Sequence, residues 1–152
     1  MKIRKATVKD AALIAKINTL AEDPIDKRMS IKEAWVKSHF RDAIKDKKLD
    51  VFICDNKGVI ALRREFSGYN NCELYWLTID KNYGGQGIGT KLVKFIEKYA
   101  KKLKFKALYL YTHQIHKPAI KFYGKLGFRK INEFPNYYSN GDKSILMGKL
   151  LK

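Results

Sequence analysis

The run Cys72-Glu73-Leu74-Tyr75-Trp76-Leu77-Thr78-Ile79, followed by Gly84-Gly85-Gln86-Gly87-Ile88-Gly89-Thr90, decides how this chain is read. The first eight residues are rich in aromatic and β-branched side chains and read as a strand, central in its sheet. The glycine cluster reads as a tight turn. Beyond it Ile88, Leu92, Ile96, Tyr99 and Leu103 share one helical face, with Lys91, Lys94, Lys98 and Lys102 opposite. A strand, a glycine turn and a helix together are a phosphate-binding arrangement, with a plain glycine-rich turn as the other reading. Glycine lets the backbone approach a ligand, and the helix N-terminus offers unpaired N–H groups and a partial positive charge. Spacing narrows the anion. The dinucleotide fingerprint G-x-G-x-x-G fails, because counting from Gly85 its last glycine falls on Thr90. The nucleotide loop G-x-x-x-x-G-K-[ST] fails too, because Thr90-Lys91 follow Gly89 in the wrong order.

Working outward, residues 2–8 alternate as an N-terminal strand does. Thr7-x-x-Asp10 and Ser30-x-x-Glu33 are capping boxes that open two helices, the second running to about Ile44. Glu22 to Met29, with Pro24, is a loop. Leu49 to Cys54 and Val59 to Phe66 are strands joined by the turn signal Asp55-Asn56-Lys57-Gly58. After the glycine loop and its helix come a short strand from Ala107 to Tyr111 and a helix from Lys117 to Leu126, with Pro118 in its first turn. Strands at Phe128 to Phe134 and Ser144 to Leu150 close the chain. The order βααβββαβαββ is α/β with a single mixed, mostly antiparallel sheet flanked by helices. The 152 residues fit one domain, 1–152.

Composition sets further bounds. The apolar fraction of 45% supports a real core. Cys54 and Cys72 have no C-x-x-C pattern, so two buried reduced thiols are expected rather than a zinc or redox site. His39, His113 and His116 fit no nucleophilic triad and no metal pattern, and His113 and His116 read as loop residues. No metal is expected. The N-terminus has neither a signal-peptide nor a membrane-span pattern, so a cytoplasmic protein is expected. The net charge of +17 attracts anions: nucleic acid, acidic protein or a polyphosphate cofactor. The lysines run along the whole chain, which favours a solvated lysine coat over a dedicated nucleic-acid face.

The glycine loop resembles the [QR]-x-x-G-x-[GA] motif of the GNAT acetyltransferases. Gly87 and Gly89 match, and Gly84 replaces the usual Gln or Arg. A second motif of that family, N-x-x-A-x-x-x-Y-x-x-x-G-F, is similar to residues 116–128. There Ala119, Tyr123, Gly127 and Phe128 match and His116 replaces the asparagine. The resemblance covers about residues 72–134. It implies acetyl transfer from acetyl-CoA to a primary amine in a ternary complex. It implies that the amides of Gly84, Gly85, Gln86, Gly87, Ile88, Gly89 and Thr90 hold the CoA pyrophosphate. Leu77, Thr78, Ile79, His116, Ala119 and Phe122 would flank the rest of the cofactor. It implies that the central strand splays from its neighbour, with a backbone N–H near Leu77 or Thr78 on the thioester oxygen. Tyr123 is the candidate acid for the leaving thiolate.

Glu73 is the candidate base. It stands eleven residues before Gly84, which resembles the placement of the catalytic glutamate in the family's histone-acetylating branch, and alternation places it on one face with Tyr75, Leu77 and Ile79, where apolar neighbours raise a carboxyl pKa. A side chain in water at the strand's start is the competing placement. Acceptor contacts are expected from residues 22–30 and 134–142. The Tyr137-Tyr138 pair is similar to loops that contact peptide N-termini in protein N-terminal acetyltransferases; aromatic capping of the sheet is the other reading. The acceptor is open between a peptide or protein amine and a small-molecule amine, and a homodimer is open as well. Two other classes compete with the enzyme. One is a basic nucleic-acid-binding domain, which lacks the aromatic–basic strand pattern such modules use. The other is a catalytically degenerate acyl-CoA-binding relative, kept in play by Gly84 and His116.

Overall fold

Asp55 and Asn56 both adopt left-handed backbone angles (φ 50° and 55°). That geometry matches the twist of a tight hairpin, and short polar residues tolerate it best. The turn joins β2 (Asp50–Cys54) to β3 (Gly58–Arg63). In the computed structural model, which describes residues 1–21, 31–66 and 68–152, this hairpin is part of a seven-stranded sheet. The other strands are β1 (Ile3–Lys5), β4 (Asn71–Ile79), β5 (Ala107–His113), β6 (Arg129–Phe134) and β7 (Ser144–Leu150). Their spatial order is β1-β2-β3-β4-β5-β7-β6, and only β4 and β5 run parallel. β4 is the middle strand, and among the described residues the helices and strands follow the order βααβββαβαββ, with 3-10 turns at Val8–Asp10 and Lys81–Tyr83.

Helices α1 (Ala11–Ala21) and α2 (Glu33–Lys45) cover one face of the sheet. Helices α3 (Ile88–Lys102) and α4 (Lys117–Lys125) cover the other. The Thr7–Asp10 capping box is present, with the Thr7 N–H donating to Asp10 Oδ2 at 2.8 Å, but it opens a single 3-10 turn that runs on into α1. The second expected box does not cap α2. Glu33 is already helical and Lys32 is the N-cap, while Ser30 lies outside the described residues. β5 runs two residues beyond the expected end at Tyr111, and so includes His113.

Two local features place the site. Gly58 is one: a Cβ there would come 2.8 Å from Ile79 Cδ1 and 2.9 Å from Ile88 Cγ2. Its absence lets the first turn of α3 lie close on the hairpin. Ile88, Leu92, Val93, Ile96 and Ala100 then bury the apolar stripe. Truncating a fully buried member such as Leu92 to Ala costs about 2–5 kcal/mol. The other feature is an irregularity in β4. Ala61 pairs with Trp76 but its neighbour Leu62 pairs with Leu74, so Tyr75 is an extra, bulged residue. The bulge reverses the alternation. Cys72, Leu74, Leu77 and Ile79 pack toward α3, whereas Tyr75 and Trp76 both pack toward α1 and α2. Glu73, flanked by Cys72 and Leu74, therefore shares its face with Tyr75 but not with Leu77 and Ile79. This corrects the simple alternation expected from sequence.

Candidate active site

β4 and β5 pair only through Asn71, Cys72 and Glu73 against Ala107, Leu108 and Tyr109. Past that point each strand keeps just its outer partner: β4 stays on β3 and β5 stays on β7. Facing edges of Leu74–Ile79 and Leu110–His113 are left without a ladder between them. Unpaired strand edges carry N–H and C=O groups that an extended ligand can occupy. The gap is a cleft of about 420 Å³, lined on β4 by Leu74 through Thr78 and on β5 by Leu110 through His113.

The open end of the gap leads to the glycine loop. Ile79 is followed by Asp80, whose carboxylate accepts the Asn82 N–H at 2.9 Å and fixes a 3-10 turn at Lys81–Tyr83. Gly85 and Gly87 then take φ of 74° and 81°, angles that favour glycine. Gly87 is the N-cap of α3, and the first helical bond runs from the Lys91 N–H to the Gly87 carbonyl at 3.0 Å. The amides of Ile88, Gly89 and Thr90 precede that bond and have no intrahelical acceptor. Gly84, Gly85, Gln86 and Gly87 are exposed. The loop thus presents amides and the positive end of a 15-residue helix to solvent. Ile88 itself points into the core.

At the vertex, where the two strands part, lies Glu73. It is 5% exposed, so the solvent-facing alternative does not hold. Burial pushes its carboxyl up from the usual carboxylate range, and the Arg63 guanidinium, ion-paired with it from β3, pulls back down. Arg63 also lies over the Tyr75 ring, 5.3 Å from its centroid. The Tyr75 hydroxyl is 3.0 Å from His39 Nε2, and Trp35 stacks on that imidazole at 4.6 Å.

From the other side α4 brings His116, Ala119 and Tyr123 to the cleft. Tyr123 is 8% exposed, held between Phe122 and Phe128 with ring centroids 5.2 and 5.5 Å away. Leu77 and Thr78 line the cleft as well. Two of the expected cofactor neighbours stand apart from this lining. Ile79 packs over Gly58, and Phe122 packs against Gly89, where an added Cβ would sit 3.3 Å from its Cζ. Phe122 therefore braces the glycine loop from behind.

His113 is not a loop residue. It ends β5 fully buried, and its Nδ1 accepts the Ile115 N–H at 3.1 Å. Its proton therefore sits on Nε2, which donates to Asp142 Oδ2 at 2.8 Å. Asp142 also accepts from Asn140 Nδ2, and its carbonyl accepts the N–H groups of Tyr137 and Tyr138. This ties the β6–β7 loop to the wall of the cleft. Tyr138 tilts onto the His113 ring at 4.7 Å, and half-exposed Tyr137 stacks on Tyr111 at 5.7 Å. Both tyrosines line the cleft, while Asp142 is bound to His113 and Glu133 is ion-paired with Lys130 and Lys143. Glu22, Asp23 and Asp26, also expected near the acceptor, lie outside the described residues.

Arg63, Tyr75, Tyr111 and His113 were not picked out by sequence. Each reaches the site across a strand pairing or through the bulge, and none sits in a motif. Both cysteines are free and buried, with burial pushing the Cys72 thiol up to about 12. No helix among the described residues is long and apolar enough to cross a membrane, and these residues contain no group of three or more metal-ligating side chains.

The site thus combines a splayed strand pair, a buried carboxylate at its vertex, a phenol on its wall and a glycine loop at a helix N-terminus beyond β4. The Acetyltransferase (GNAT) family matches residues 19–128, and the chain belongs to that family. It is 25% identical over 160 residues to an N-alpha-acetyltransferase of Sulfurisphaera tokodaii, covering 96% of this chain and 90% of that protein. It is 26% identical over 142 residues to an uncharacterized N-acetyltransferase of Methanocaldococcus jannaschii, where the match covers 84% of this chain and 60% of the relative. Among solved structures it superimposes on an aminoglycoside 6'-N-acetyltransferase complexed with coenzyme A. The TM-score is 0.78 at 17% identity, over 100% of this chain and 98% of the other.

Proposed function

We propose that residues 1–152 act as one acetyltransferase domain that moves the acetyl group of acetyl-CoA onto a primary amine, and that the acceptor is the α-amino end of a peptide or protein. The observation that carries this reading is the gap between β4 and β5, which Glu73, Leu77, Thr78 and Tyr123 line and whose β4 edge runs on through Asp80 toward the glycine loop. Pyrophosphate would rest on the amides of residues 84–90, and the pantetheine arm would run along the free edge of β4 past Leu77 and Thr78. The thioester oxygen would accept a backbone N–H there. Fixed donors aimed at a developing oxyanion are worth more in a dry cleft than in water.

The acceptor must react as a free amine. Glu73 takes the proton of the arriving ammonium, directly or through a water, and the free amine nitrogen then attacks the thioester carbon. Collapse of the tetrahedral adduct breaks the C–S bond, and Tyr123 protonates the departing thiolate. Arg63 opposes the upward push of burial on the Glu73 carboxyl. A peptide acceptor is supported by the N-alpha-acetyltransferase relative and by the rim. Tyr111, Tyr137 and Tyr138 offer flat amphipathic walls to a chain end, and among the described residues Asp142, in the loop that carries Tyr137 and Tyr138, is bound to His113.

The test is an acceptor panel followed by thiol release: short peptides with free and with blocked N-termini, a lysine-bearing blocked peptide, a polyamine and an aminoglycoside. Turnover confined to free peptide N-termini supports the reading. Turnover of the polyamine or the aminoglycoside in preference to peptides contradicts the acceptor assignment.

A further inference from the structure

The lysines run along the whole chain, but the carboxylates do not. Between Lys81 and Ile131 thirteen lysines and arginines face a single carboxylate, Glu97, so that one third of the sequence holds twelve of the seventeen net charges. All thirteen basic residues are exposed. Glu97 is itself paired with Lys149 at 2.9 Å. Most of this charge lies on α3 and α4, which pack against the same face of the sheet.

Spacing along the two helices is informative. Lys94, Lys98 and Lys102 stand at i, i+4 and i+8 on α3, and Lys117, Lys121 and Lys125 repeat the pattern on α4. Like charges at that spacing oppose helix formation. Among the described residues none of these six lysines forms an ion pair. Each helix thus keeps an unneutralised ridge that works against its own stability.

The acyl donor accounts for only part of this. Its pyrophosphate belongs at the N-terminal turn of α3, whereas Lys98, Lys101 and Lys102 lie about 15–21 Å further along the axis at 1.5 Å per residue. That exceeds the screening length of about 8 Å at physiological salt. Membrane binding requires apolar side chains beside the basic ones. The exposed large apolar residues are elsewhere, at positions such as Trp35, Tyr69 and Tyr137, and none is on α3 or α4.

We propose that the outer face of α3 and α4 is a docking surface for a nucleic acid, held by its phosphodiester backbone and read by charge rather than by base sequence. Such a surface would keep the enzyme on a ribonucleoprotein or nucleoprotein that presents its acceptor, while the cleft stays free.

The test measures fluorescence anisotropy with labelled single-stranded RNA, duplex RNA and duplex DNA from 50 to 200 mM salt. The wild type is compared with two triple variants of equal charge change. One is Lys98→Gln/Lys101→Gln/Lys102→Gln on the proposed surface. The other is Lys37→Gln/Lys45→Gln/Lys47→Gln on and just beyond α2, all exposed. Wild-type binding to RNA, DNA or both should be salt-dependent. The first triple should lose about tenfold or more of it, with a log–log salt slope shallower by about two for single strands, at roughly 0.7 per phosphate contact. The second triple should bind like the wild type, and both should retain acetyl-CoA affinity and turnover of a short acceptor. RNA-only or DNA-only binding with this variant pattern would support the proposal and name the source. No binding at 50 mM salt, equal losses in the two triples, or binding to anionic phospholipid vesicles without binding to nucleic acid would overturn it.

Discussion

The two helical layers cover one sheet, yet they equip the site by different means. On the α3 and α4 side the proposed donor site is built from backbone: left-handed glycines, a helix N-terminus, and the close approach that Gly58 permits. On the α1 and α2 side the proposed base is built from side chains, Glu73 with Arg63 and Tyr75 with His39, while the proposed acid, Tyr123, comes from α4. The bulge at Tyr75 makes this division, because it puts Glu73 and Tyr75 on one face and Leu77 and Ile79 on the other. A backbone site tolerates variation of its exposed side chains and fails when its shape changes. A side-chain site keeps its shape and fails when one functional group is removed.

Substitutions that spare shape should separate the two layers most strongly. Glu73→Gln and Tyr123→Phe each remove one proton-transfer group, and kcat should fall by about 10²–10⁴ with the acetyl-CoA dissociation constant unchanged. Stopped-flow turnover with calorimetric binding checks both halves; a loss of acetyl-CoA binding in either variant would place that residue in the donor site instead. The reciprocal change is Gly84→Glu. Gly84 has an ordinary φ of −64°, and a Cβ there meets only the Lys81 carbonyl at 3.5 Å, so the fold should persist. A carboxylate facing the pyrophosphate should weaken acetyl-CoA by at least about tenfold. A single-turnover rate at saturating acetyl-CoA should stay near that of the wild type.

His113→Asn probes the join between the layers. It removes a buried hydrogen bond to a carboxylate, worth about 1.5–3 kcal/mol, and frees the loop bearing Tyr137 and Tyr138. Thermal denaturation should show a Tm lower by several degrees, and the acceptor KM should rise a few-fold while the acetyl-CoA KM holds. The smallest effect is expected from Arg63→Met. Arg63 opposes the upward push of burial on Glu73, so its removal raises the Glu73 pKa further. The base is active when ionised and is lost as pH falls through that pKa. The acidic limb of the kcat/KM profile should therefore move to higher pH, and an unmoved limb would mean that another group titrates.

What the sequence made legible follows the same division. The glycine loop and the residues 116–128 motif are local, and backbone sites of this kind are written in consecutive residues. The element order was legible because each helix and strand carries its own period and caps. The bulge was not, since which residue is extra depends on how β4 registers against β3. His113 and Asp142 are 29 residues apart and meet only because β7 lies between β5 and β6. Arg63 reaches Glu73 across a strand pair. The uneven charge is plainly written in the sequence, but in missing carboxylates rather than in the lysines that draw the eye.

The central claim is that the glycine loop and the β4–β5 gap together bind the acyl donor. Its most direct test is a calorimetric titration of acetyl-CoA into the wild type and Gly84→Glu. One site per chain with micromolar affinity in the wild type, weakened at least about tenfold in the variant, is the expected result. No heat and no thermal stabilisation at millimolar acetyl-CoA, or equal binding by the two proteins, would contradict it.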